Sequence, residues 1–167
     1  GVMKMFVRRR PPAGFTLLEL MITLAIIALL ASVASPLAEL TSRRAKEQEL
    51  RVALRTIRSA LDRYKQDADE GRIAVDKTKD TGYPHSLTDL VAGVPDQRSP
   101  ERDKKVYYLR TLPADPIALD NGAHPESTWA TRSYASPPDN PAPGNDVFDV
   151  HSKSTRRGLN GAPYSNW

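Results

Sequence analysis

The chain has 167 residues and no cysteine. Disulfides, thiolate zinc sites and cysteine nucleophiles are therefore excluded, and the fold must rest on packing, turns or an oxygen-ligated metal. His85, His124 and His151 are the only histidines and lie far apart, without metal-ligand spacing. Ser86 and Ser152 stand in no nucleophile elbow, and no glycine-rich loop is present to cradle phosphate. The sequence thus offers no catalytic constellation and reads as a non-enzyme. Three phenylalanines against fourteen prolines point to a small core with much irregular chain. Glycine is absent between Gly14 and Gly71, which leaves a long segment open to unbroken helix.

Acidic residues are missing from 1–14, while Lys4, Arg8, Arg9 and Arg10 all fall there. Setting those four cations aside leaves 20 basic and 20 acidic residues in 15–167, so the formal charge of +4 belongs to the leader alone. A balanced remainder gives no electrostatic footprint for nucleic acid. The leader reads as the positive flank of an export signal, with Met3 or Met5 as alternative starts.

Charge is also missing from Leu20–Ala38, a run of 19 residues near the lower limit for a membrane-spanning helix. Adding Phe15–Leu18 lengthens the span and places Glu19 inside it. A carboxylate there costs on the order of 3 kcal/mol, so it marks either a functional residue or one resting at headgroup level. Cleavage after Gly14 would give Phe15 a free, cationic amine. Glu19 is four residues on, a spacing that shares one helical face. Amine and carboxylate could then pair within one chain or between staggered chains. The rival reading is an ordinary signal-peptidase site at Ser32-Val33-Ala34, releasing a soluble domain after Ala34. Pro36 should perturb any helix, either as a simple kink or as a point of interruption in an assembled state. The excess of positive charge before the span places the leader on the cytoplasmic side and the rest outside.

Gly14-Phe15-Thr16-Leu17-Leu18-Glu19 resembles the class III signal of type IV pilins and pseudopilins, and Pro36 falls where that family commonly interrupts its helix. The resemblance implies cleavage between Gly14 and Phe15 by prepilin peptidase and N-methylation of Phe15. It also implies a role for Glu19 in recruiting the subunit into a filament. Four parts follow: a leader 1–14, a membrane and assembly helix 15–38, an amphipathic helix 39–70 and a periplasmic α+β domain 71–167.

The amphipathic part is legible directly. Leu50, Leu54, Ile57, Leu61, Tyr64 and Ala68 make an apolar stripe at spacings of three and four, with charge on the other faces. One helix is expected from about Thr16 to Asp69. Beyond it, 71–81 and 94–105 read as loops, and Ser86 as the N-cap of a short helix with Asp89 at the capping-box position. Val106–Leu109, Trp129–Ala135 and Asp146–Val150 read as strands. Pro137–Gly144 reads as a loop and Gly158–Gly161 as a turn. Tyr107, Tyr108 and Trp129 read as core.

Tyr83-Pro84 with Leu87 and Leu90, the run Leu112-Pro113-Ala114-Asp115-Pro116, the Asp146–Val150 segment and Asn166-Trp167 are similar to the major pseudopilin of type II secretion systems. That resemblance implies an α+β fold, a long N-terminal helix packed on a small antiparallel sheet. It implies a single-pass inner-membrane subunit that joins other pseudopilins, an assembly platform and copies of itself in a helical filament driving secretion. A type IV pilus subunit, acting in adhesion or surface contact, is the alternative. The resemblance further implies calcium in an acidic C-terminal loop. Here no acidic residue follows Asp149, and Asp139, Asp146 and Asp149 are the nearest oxygen donors.

Overall fold

A computed structural model describes residues 14–76, 78–101, 103–118 and 122–167. The leader, apart from Gly14, lies outside the described residues. The chain divides into two units between Ser42 and Arg43.

Helix α1 runs over Leu17–Asp69 and carries residues of both units. Its start is set by Thr16, whose Oγ1 accepts the Glu19 N–H at 3.2 Å and so satisfies one of the orphan donors of the first turn. Its end is set by Gly71, at φ +72°. The Gly71 N–H reaches the Ala68 carbonyl and the Arg72 N–H reaches the Asp67 carbonyl, a Schellman closure that needs a residue at ease in the left-handed region.

In the Arg43–Trp167 unit the stripe of α1 packs as its period requires. Leu50, Leu54, Ile57, Leu61, Tyr64 and Ala68 are all buried. Leu87 and Leu90, Tyr108, Ile117, Trp129, Val147, Val150 and Tyr164 close over them in one hydrophobic cluster. A single turn of helix, α2 over Asp89–Ala92, ends on Gly93 at φ +78°. Half of the expected capping box forms: Asp89 Oδ2 accepts the Ser86 N–H at 3.1 Å. The Ser86 hydroxyl bonds Thr88 instead of the helix, which starts later than the sequence indicates.

The sheet is two separate antiparallel pairs. Strand β1 (Val94–Pro95) pairs with β2 (Lys105–Val106), in a stretch whose charge reads as loop. The strand expected over Val106–Leu109 keeps only its first residue. Both the Tyr108 and Leu109 N–H groups are spent on the Leu90 carbonyl, so the chain turns inward there. Tyr108 is buried as expected, but Tyr107 is 63% exposed and not core. Strand β3 (Trp129–Arg132) pairs with β4 (Asp149–Ser152), Thr131 facing Val150. The second strand therefore lies three residues beyond the expected Asp146 start. The N–H of Val147 goes to Pro84 and that of Phe148 to Arg132.

Buried polar groups brace the cluster. Asp115 accepts the Ile117 N–H at 2.8 Å and the Ser152 hydroxyl. Trp129 Nε1 donates to the Pro113 carbonyl at 2.8 Å. Arg58, on α1, donates to Asp149 and to the main-chain oxygens of Val150 and Trp167.

Candidate functional site

The site is the first unit, the apolar start of α1. From Leu20 to Leu37 its large side chains are apolar, and every described residue from Gly14 to Lys46 is exposed. Phe15 and Leu17 are each 80% exposed. The helix is long and apolar enough here to cross a membrane. Three of its described hydroxyls are turned back on the helix. Thr23 donates to the Leu20 carbonyl, Ser32 to Leu29 and Thr41 to Leu37, at 2.7–2.9 Å. An apolar surround could not satisfy these groups, and the back-bonds remove the need.

Glu19 occupies the first turn of α1, where the helix dipole favours a carboxylate. With Thr16 it forms the pattern Thr-x-x-Glu at N-cap and N3. The sequence reading did not pick out Thr16 as this cap, although a Thr three places before an acid at the head of an apolar run is its signal. Phe15 and Thr16 precede the helix. In the uncut chain Phe15 has a peptide nitrogen and not an amine, and Phe15 and Glu19 do not share a turn of α1. Gly14 is exposed, and nothing lies within 4 Å of where a Cβ would sit.

Ala34 lies in mid-helix. The helix runs without a break through Pro36 in the single chain.

The three candidate calcium ligands serve other partners or none in common. Asp149 is 2.7 Å from Arg58 Nε. Asp146 is buried and accepts the Thr81 hydroxyl and the Tyr134 N–H. Burial opposes its ionisation, but these bonds outweigh it and hold its pKa below the usual carboxylate range. Asp139 is exposed on the loop 137–144. Among the described residues no three His, Cys, Asp or Glu side chains gather as metal ligands would.

The family described as "Prokaryotic N-terminal methylation motif" matches residues 9–35, which take in the Gly14-Phe15 junction and most of the apolar start of α1. A type II secretion system core protein G of Vibrio cholerae is 29% identical over 161 residues, covering 96% of this chain and 94% of that protein. Another, from Pseudomonas aeruginosa, is 31% identical over 109 residues, 65% of this chain and 70% of the relative. The chain belongs to the type II secretion system core protein G family. It is a pseudopilin with a prepilin-type methylation motif. Both relatives are named as core proteins of a secretion system, and neither as an enzyme. No solved structure matches the chain at comparable significance.

Proposed function

We propose that this chain is the structural subunit of a pseudopilus that drives type II protein secretion. It is inserted once in the bacterial inner membrane with the Arg43–Trp167 unit in the periplasm. Prepilin peptidase cuts between Gly14 and Phe15 and methylates Phe15. The subunit then leaves the lipid and stacks through its apolar helix with copies of itself, beside other pseudopilins and an assembly platform. Growth of the filament pushes substrates outward.

The observation that supports this reading is the apolar surface of α1 from Leu17 to Leu40, which is exposed among the described residues. Such a surface needs lipid first and other helices later. Glu19 supplies the register. Once Phe15 carries an amine, a carboxylate in the first turn of a neighbouring, axially shifted chain can neutralise it, and a mismatched shift leaves both charges unpaired in low dielectric. Pro36 removes one helical hydrogen bond and leaves the Ser32 carbonyl without its usual donor, which makes this turn the one that opens on assembly.

Glu19→Ala tests the reading. Cleavage should proceed, with N-terminal sequencing giving methylated Phe15. Filament yield should drop on the order of 30-fold, the cost of stranding one member of a buried charge pair. Normal filaments from this variant would sink the register argument. A mature chain beginning at Ser35 would show release of a soluble domain instead.

A further inference from the structure

The calcium ion that the family resemblance implies does not fit the C-terminal loop of this chain. Hard cations take oxygen ligands, several of them usually charged. In the loop 153–167 the charged residues are Lys153, Arg156 and Arg157, all positive. Four main-chain oxygens in and beside this loop are already held by basic side chains. Arg157 Nη1 donates to Gly161 O at 2.9 Å, Arg156 Nη2 to Ile117 O at 3.0 Å, and Lys153 Nζ to Ser127 O at 2.6 Å. Arg43 on α1 donates to the Arg157 carbonyl.

One carboxylate faces this loop from the helix. Glu47 is 8% exposed, and its Oε1 accepts the Leu159 N–H and the Tyr164 hydroxyl, both at 2.8 Å. Arg43, one turn earlier, lies 3.8 Å from the same oxygen. The turn 158–161 and the buried Tyr164 are thereby tied to α1 by a protein anion, and the preceding Arg157 carbonyl by a protein cation.

We propose that the Arg43–Glu47 clasp performs in this chain the loop-closing work that the family resemblance assigns to calcium, so that the fold of the C-terminal loop is independent of calcium. A fixed carboxylate with two aligned donors closes the loop at any calcium concentration, whereas an ion would do so only above its dissociation constant. The inference concerns folding of the Arg43–Trp167 unit and stands apart from the assembly reading.

The test uses the full chain in detergent micelles. Thermal unfolding and limited trypsin cleavage at Arg156 and Arg157 are followed in excess calcium chloride and in excess EGTA. The expected result is one melting temperature and one cleavage rate in both media. Glu47→Ala should speed cleavage about tenfold in both, since two hydrogen bonds to a buried carboxylate are lost. Glu47→Gln, which keeps an acceptor oxygen, should restore most of the protection. If Glu47→Ala does not fold, Arg43→Met, at a half-exposed site, replaces it and should accelerate cleavage in both media. Calcium-dependent melting or cleavage of the unaltered chain would overturn the proposal. So would a Glu47→Ala protein as resistant as the parent.

Discussion

Replacing Leu61 with Ala measures how much the α1 stripe contributes to the Arg43–Trp167 unit. Leu61 is fully buried, in the cluster that it shares with Leu54, Ile57 and Tyr64 of the same helix face and with the loops above. Truncation removes the transfer free energy of the lost methyl groups and leaves a cavity that close packing only partly refills. The expected loss is on the order of 3 kcal/mol. For a unit of this size each kcal/mol lowers the melting temperature by about 4 °C, so the midpoint should drop by roughly 12 °C. Both tryptophans, Trp129 and Trp167, lie in this unit, so their fluorescence follows its unfolding without contribution from the apolar start of α1. Val52→Ala is the control. Val52 is on the same helix but 53% exposed. Its truncation forfeits little burial and removes a β-branched residue from a helix, so the midpoint should stay within about 2 °C or rise. Equal losses from both variants would refute the assigned packing face.

The pKa values of His85 and His151 should shift in opposite directions. His85 Nδ1 lies 2.8 Å from the Asn145 carbonyl, which holds its charged form, and despite some burial Asp80 adds to the upward shift. Burial pushes His151 down, with Asp149 opposing and Arg58 reinforcing that direction. NMR titration should place His85 above about 6.5 and His151 below it. The His85 contribution to stability is complete below pH ~6.5 and lost as pH rises through its raised value; the His151 contribution is complete above ~6.5 and lost as pH falls through its lowered value. A reversed order would refute both environments. Gly158→Ala should cost about 2 kcal/mol, because a Cβ there would sit 2.4 Å from the Trp167 ring, and Trp167 emission should shift. Gly161→Ala meets no atom within 4 Å but keeps φ at +81°, so it should cost about 1 kcal/mol with unchanged emission.

The stripe and both ends of α1 were legible because their signals are local. A three-and-four period, an uninterrupted apolar run and a glycine after the last turn act within a few residues of one another. Glu47 was within reach of the same reasoning. The stripe extended back by three residues from Leu50 lands on it, and a charge on the buried face calls for a partner. The strands were harder. Asp146–Val150 has the better alternation, yet pairing begins at Asp149 and ends on Ser152, which is buried because Asp115 accepts its hydroxyl. Nothing in the neighbourhood of Ser152 reports a carboxylate from another loop. Tyr107 and Tyr108 are alike as residues, and only the turn toward the Leu90 carbonyl separates the exposed ring from the buried one.

Taken alone, the amino-acid order was enough for the charge of residues 1–14, the apolar helix and the face that α1 buries. Each follows from chemistry carried along a single continuous segment. The tertiary structure decided how the C-terminal end is held. The bond from Tyr164 to Glu47 spans 117 residues and that from Arg58 to Trp167 spans 109. Such pairings are chosen by which surfaces meet once the stripe is buried, and low dielectric then makes each unmet donor or acceptor costly enough to select its partner.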